Sequence, residues 1–348
     1  METIDFVIPW VDGEDSQWKA ERKKYEKAFL PTGFISDKEV SSNGANDDCR
    51  YRDFGLLRYW FRSVESFAPW VNKVYFITCG QRPDWLNIHH PKIVCLNHSD
   101  YIPEQYLPTF NSNTIELNLH RIDSLSERFV LFNDDVFLLQ PVAPDFFFRD
   151  GKPVLMADLR YPGNVGYNNW SRVMFNDYCV LHRSFDMLKA IWDNRRKWFS
   201  ISDLGIKRVR QNFLAFCANK SLPVHFYGHV SQAHLKSTLQ EVWDRWPDVM
   251  DTTCSSRFRS DVQVNHWLLC AWNQAKGCFY PAHEKDRGQF FRVEAWNHEV
   301  IRDFILTESR PQICINDNPD NTDPERAQQV IEEAFSRIFP VKSEFELN

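Results

Sequence analysis

Apolar residues along this chain form two kinds of pattern, short unbroken runs and longer stretches spaced by three to four. The runs 4–10, 74–78, 93–96 and 129–139 predict buried strands, because a strand covered on both faces needs no alternation of apolar and polar positions. Helical spacing marks Leu56, Leu57, Trp60, Phe61 and Val64, then the stretch 115–122. It also marks a final helix, where Asp323-Pro324 starts a stripe of Ala327, Val330, Ile331, Ala334, Phe335 and Ile338. Residues 16–29 read as a polar helix, and 184–198, 202–219, 231–245 and 261–275 as further helices. Residues 31–50, with Ser41-Ser-Asn-Gly-Ala-Asn-Asp-Asp48, read as a mobile loop, and the Pro-marked stretch 97–110 as another. Alternating strands and helices predict an α/β fold with a mainly parallel sheet and helices on both faces. Residues 1–174 would form the first part of its core, 175–224 a helical insertion or lid, and 225–348 the part that completes the same domain.

Composition narrows the class. A chain of 348 residues with 15% aromatic content has ample material for a large core, and its net charge of −6 argues against a nucleic-acid partner held by bulk electrostatics. The basic groups Arg195-Arg196-Lys197 and Lys207-Arg208-Val-Arg210 are short and read as solvated helix faces. The start Met-Glu-Thr-Ile-Asp-Phe lacks the pattern of a signal peptide, and no run has the ~18 apolar residues that span a bilayer. A cytoplasmic protein is expected, with a peripheral station at the inner face of the plasma membrane and a homo-oligomer both left open. The nine cysteines are scattered without a Cys-x-x-Cys pair, which favours reduced thiols over disulfides or structural zinc.

Inside the run 129–139, Asn133-Asp134-Asp135 interrupts the apolar residues. Ionised acids beside buried surface require a cation or hydrogen bonds, and a divalent metal with a phosphate ligand supplies that charge. The same residues also suit a plain turn after a strand. In Pro9-Trp10-Val11-Asp12-Gly13, a strand-end turn where α/β proteins place nucleotides, Trp10 could stack on a base and Asp12 accept from ribose or uracil. Arg50-Tyr51-Arg52-Asp53 offers a guanidinium clamp for a diphosphate, or a helix-start ion pair. If 115–122 is helical, Glu116 and His120 share a face, towards a site or as a surface pair. The segment Cys314-Ile-Asn316-Asp317-Asn318-Pro-Asp320-Asn321 is an acidic turn that resembles a calcium loop only loosely, since it lacks Gly at the sixth position, and it could simply lead into the last helix. His225, His229 and His234 cluster, and Arg257-Phe258-Arg259-Ser-Asp261 could neutralise a phosphate or pair with Asp261.

Taken in order, these blocks resemble the Stealth family of hexose-1-phosphate transferases, which includes bacterial capsule polymerases and the animal enzyme that adds N-acetylglucosamine-1-phosphate to lysosomal glycoproteins. The resemblance runs through Ile4 to Gly13, Arg50 to about Phe148, His229 to Asp261 and Cys314 to Leu347. It implies a GT-A-like (Rossmann-like) fold, a UDP-sugar donor, a saccharide acceptor and Mg²⁺ or Mn²⁺. Carried over by position, it gives Glu116, Asp135, His229 and Arg257 catalytic roles, with His234 and Arg259 as rivals for the last two. Asp134, Asp135 and Asp317 would serve the metal, and Trp10, Asp12, Gly13 and Arg52 the nucleotide. The reaction implied moves a sugar-1-phosphate to a sugar hydroxyl, releases UMP and serves capsule or cell-surface polysaccharide synthesis. An ordinary glycosyltransferase releasing UDP wants much the same residues, and a non-catalytic carbohydrate-binding protein is a further rival.

Overall fold

The computed structural model describes residues 3–26, 46–52, 54–160, 169–218, 224–225, 228–318 and 321–347. Most of the expected loop 31–50 therefore lies outside the described residues, as do Asp53 and Asp320 and the side chain of His225.

Strands β1 (Ile4–Pro9), β2 (Val74–Thr78), β3 (Ile93–Asn97) and β4 (Arg128–Leu131) are parallel and lie in the order β4-β1-β2-β3. Their apolar runs divide between two layers, as pleating requires. Phe6, Ile8, Val74, Phe76 and Val130 belong to one core cluster with helices Leu57–Phe67 and Pro324–Ile338. Val7, Tyr75, Ile77, Phe129 and Leu131 belong to the other, with helices Lys236–Arg245, Pro247–Ser255 and Trp267–Ala275. The chain is thus α/β, with a mainly parallel central sheet covered on both faces, as its pattern predicts.

The run 129–139 is not one strand. It breaks after β4, and its second half forms β5 (Val136–Leu138), which enters a different sheet. Short strands β6 (Phe148–Arg149) and β7 (Lys152–Met156) follow, then β8 (Leu159–Arg160), which pairs with β9 (Val224–His225). β10 (Gln232–Leu235) closes the open β4 edge antiparallel, and all four of its residues are buried, so the expected helix 231–245 begins only at Lys236. β11 (Tyr280–Ala282) joins β7, while β12 (Gln289–Arg292) and β13 (Gln312–Asn316) complete the sheet of β5. β13 runs parallel to β12 and antiparallel to β5. Asn133-Asp134-Asp135 is therefore the turn between two sheets, closed by Val136 N donating to Asn133 O at 3.1 Å.

Helix ends also shift from expectation for local reasons. The stretch 115–122 divides into helix Ser112–Leu117, capped by Asn111, and a tight turn Leu119–Arg121. The helical region begins earlier, at Asn169, and consists of Asn169–Ser184, Met187–Asp193, Arg195–Trp198 and Ile201–Cys217, the last broken at Gly205, whose φ of 71° is the left-handed region that glycine tolerates. The helix expected over 261–275 begins at Trp267. All nine cysteines are free thiols. Among the described residues no helix is long and apolar enough to cross a membrane.

Candidate functional site

The chain runs outward from β1 to β2 and β3, then returns to β4 on the other side of β1. Strand order reverses between β1 and β4, and ligands of open α/β sheets bind beyond the carboxyl ends of strands at such a reversal. A cleft of about 1110 Å³ opens there. Pro9 to Val11, Cys79, His98 and Asn133 to Asp135, at or just beyond the carboxyl ends of β1, β2, β3 and β4, line it together with Glu116 and the loop carrying His229.

Asp135 is the hub. Its Oδ2 accepts from Asn316 Nδ2 at 3.0 Å and stands 3.8 Å from His229 Nε2, while its buried Oδ1 has no hydrogen-bond partner among the described residues. Asn133 Nδ2 lies 3.1 Å from the same His229 nitrogen. Burial disfavours the imidazolium and holds His229 below its usual range, against the opposing pull of Asp135. Asn316 links this group to the arginines, because its Oδ1 accepts from Arg50 Nη1 at 3.0 Å. Arg50 also donates to the Asp317 carbonyl at 3.1 Å, and Arg52 Nη1 meets Asp317 Oδ2 at 2.5 Å. Two segments far apart in the chain are clasped at one wall.

Glu116 occupies another wall. Burial pushes its carboxyl up to about 7, although Arg259 and a hydrogen bond with Ser112 oppose the shift. Arg259 Nη2 donates to Ser112 Oγ at 2.8 Å, so guanidinium, hydroxyl and carboxyl form one group on the cleft.

The other expected residues separate. Trp10 lines the cleft, its ring 5.7 Å from that of Phe76. Asp12 and Gly13 do not line the cleft: the Asp12 carboxylate accepts from Glu14 N at 2.9 Å, and Gly13 makes room for Tyr51, whose carbonyl oxygen would be 1.9 Å from a Cβ there. Asp134 is an exposed lining residue, and the buried Asp317 carboxylate is engaged by Arg52 and Asn321. Arg257 lies off the cleft; its Nη1 donates to the Pro108 carbonyl at 2.8 Å and its guanidinium stacks on Tyr25. His234 is buried in β10, pushed down to about 3 by burial and 3.3 Å from His266. His120 does not share the Glu116 wall, because the helix ends at Leu117 and the next turn aims the imidazole at Trp243. Arg50, Asn133 and Asn316 are site residues that earned no separate role from the sequence, although each belongs to a cluster singled out there.

Among the described residues, Asp135, His229 and Cys314 could hold a divalent ion, their ligand atoms lying within 4.8 Å of one another. An orphaned buried carboxylate oxygen beside an imidazole nitrogen suits an ion that accepts both oxygen and nitrogen ligands. Burial and the neighbouring Asp135 hold the Cys314 thiol well above its usual range.

A lined cleft at the carboxyl edge of a mainly parallel sheet, bearing a near-neutral carboxyl, an acid–imidazole pair and several arginines, defines an α/β protein with an active-site type of cavity. The chain belongs to the Stealth family. Its residues 2–29, 50–155 and 303–348 match Stealth protein conserved regions 1, 2 and 4. It is 37% identical over 343 residues to the capsular polysaccharide phosphotransferase WcwK of Streptococcus pneumoniae, covering 99% of this chain and 98% of that protein. It is 36% identical over 349 residues to the receptor polysaccharide phosphotransferase WefC of Streptococcus gordonii, covering 100% of both. Among solved structures, the galactosyltransferase LgtC in complex with donor and acceptor sugar analogs covers 94% of this chain and 95% of that chain, at 9% identity and a TM-score of 0.37.

Proposed function

We propose that this protein is a capsular or cell-surface polysaccharide phosphotransferase that moves a hexose- or N-acetylhexosamine-1-phosphate from a UDP-sugar to a sugar hydroxyl. The observation that carries the reading is the convergence on one cleft of Glu116, with its carboxyl near 7, the Asp135–His229 pair, and the guanidiniums of Arg50, Arg52 and Arg259. Full-length similarity to phosphotransferases supports it.

In this reading the acceptor oxygen attacks the phosphorus that bears the donor sugar. The new O–P bond forms as the bridging O–P bond of the diphosphate breaks, UMP leaves, and the acceptor proton passes to Glu116. A group titrating near the working pH suits that task. Arg259 faces charge developing on the transferred phosphoryl group, while Arg50 and Arg52 hold the diphosphate. Asp135 and His229 would hold Mn²⁺ or Mg²⁺, which when bound supplies charge neutralisation for the leaving UMP. Asn316 and Asn133 fix the Asp135 and His229 side chains, and Trp10 offers a face to the uracil.

Incubation with a panel of UDP-sugars, Mn²⁺ and an oligosaccharide acceptor tests this. UMP release with a phosphodiester resonance by phosphorus NMR is expected; UDP as the main nucleotide product would instead assign transfer at the anomeric carbon.

A further inference from the structure

Among the described residues, the region 187–217 gathers exposed apolar side chains on one surface. Of twelve large apolar side chains exposed among the described residues, five lie between Trp192 and Leu214: Trp192, Ile201, Ile206, Phe213 and Leu214, with Ile206 74% exposed. They do not stand singly. Trp192 stacks on Phe216 at 5.9 Å, Phe216 meets Phe199 at 5.9 Å, and Phe199 meets Phe213 at 6.0 Å. Beyond the Gly205 break, the helix shows Ile206, Lys207, Arg210, Phe213 and Leu214 on its outer face and buries Asn212 and Ala215 on its inner one.

Charge tells what this face meets. From Met187 to Cys217 seven cations accompany two acids, Asp193 and Asp203, in a chain whose net charge is −6. Arg195, Arg196, Lys207 and Arg210 are exposed, and among the described residues no acid pairs with Arg196, Lys207 or Arg210. Arg208 turns inward instead, bonding Asp158 at 2.5 Å and Glu284, a lining residue of the cleft, at 3.3 Å. Apolar side chains interleaved with unpaired cations on one helix face match a bilayer surface bearing anionic headgroups. A second copy meeting the same patch about a two-fold axis would bring these cations together, which opposes self-association.

We propose that the 187–217 surface docks the protein on an anionic lipid bilayer, with Ile206, Phe213 and Leu214 entering the interface and Lys207, Arg210 and Arg196 on the phosphate headgroups. Through Arg208 and Glu284 the docked helix is joined directly to the rim of the cleft, so the cavity is held next to the membrane surface. Nothing in this inference uses the reaction proposed above, and its test reads binding rather than turnover.

The test is flotation of the full chain with vesicles of phosphatidylcholine alone or enriched in phosphatidylglycerol. Binding only to the phosphatidylglycerol-rich vesicles is expected. Lys207→Ser with Arg210→Ser should weaken it about 25-fold, at roughly fivefold for each cation near the surface. Ile206→Ser with Phe213→Ser should also weaken it at least tenfold while still unfolding in one cooperative transition, and the exposed Lys207→Ser with Arg210→Ser pair should keep the wild-type melting curve. Wild-type protein that floats with neither vesicle, or variants that bind as the wild type does, would overturn the inference. So would a concentration-dependent dimer abolished by Ile206→Ser with Phe213→Ser in a protein that ignores vesicles, because the face would then belong to a second copy.

Discussion

Glu116 owes its ionisation to where the chain places it. Its folded-state value of about 7 lies above the ordinary 4.5, so the folded protein binds this proton more tightly than the unfolded chain does. The associated stability is fully present below about pH 4.5 and is lost as pH rises to 7, an effect of ~3 kcal/mol. Glu116→Gln removes the ionisation and keeps the shape. Urea unfolding should therefore find the variant more stable than wild type at pH 8, with the gap closing at pH 4, while the rise of turnover with pH near 7 disappears. Equal urea midpoints at both pH values would show that Glu116 is solvated. Asp135→Asn changes charge at almost constant volume, so turnover should fall to background with little change in melting temperature. Stabilisation of the protein by Mn²⁺ in a thermal-shift titration should vanish with it; an unchanged shift would move the ion elsewhere.

Short segments, each carrying side chains in opposite directions, account for the rest of the site. In the segment after helix Pro247–Ser255, Arg257 turns back to hold the Pro108 carbonyl, whereas Arg259 turns to Ser112 and the cleft. Arg259→Ala should lower kcat on the order of 10³-fold, as loss of a charge-stabilising guanidinium does. Arg257→Ala should lower melting temperature first and leave kcat of the folded enzyme within a few fold; the reverse outcome in steady-state assays would return the role to Arg257. The segment 50–52 depends in turn on the turn after β1, because a Cβ at position 13 would meet the Tyr51 carbonyl oxygen at 1.9 Å. Gly13→Ala should displace Arg50 and Arg52 from Asn316 and Asp317, raising the donor KM at least tenfold and costing ~1–3 kcal/mol in thermal unfolding. A donor KM unchanged in the variant would mean that the segment seats without help from Gly13.

At the scale of the molecule, strands and faces were legible where runs of apolar residues leave one physical answer. β1, β2 and β3 and the helices Leu57–Phe67 and Pro324–Ile338 follow from their patterns almost to the residue. Sheet membership was not legible in this way. Phe129 to Leu139 looks continuous because both halves are buried, and only tertiary pairing sends one half to β1 and the other to β13. The same limit applies to the site: Asp135 and Glu116 stand out by type and setting, but nothing in spacing tells Arg257 from Arg259, or gives Asn316 its place between Arg50 and Asp135.

The bonds that hold Asp135 and the arginines span most of the chain. Asn316 meets Asp135 across 181 positions and Arg50 across 266. Contacts of such separation form only after the intervening chain has closed its loops, and they slow folding. During synthesis, the central sheet can gather while the acids between β4 and β5 still lack their C-terminal partners. The cavity gains these partners only once β13 has left the ribosome, so a chain that stops before Asn316 lacks the bonds that hold Asp135 and Arg50 in place.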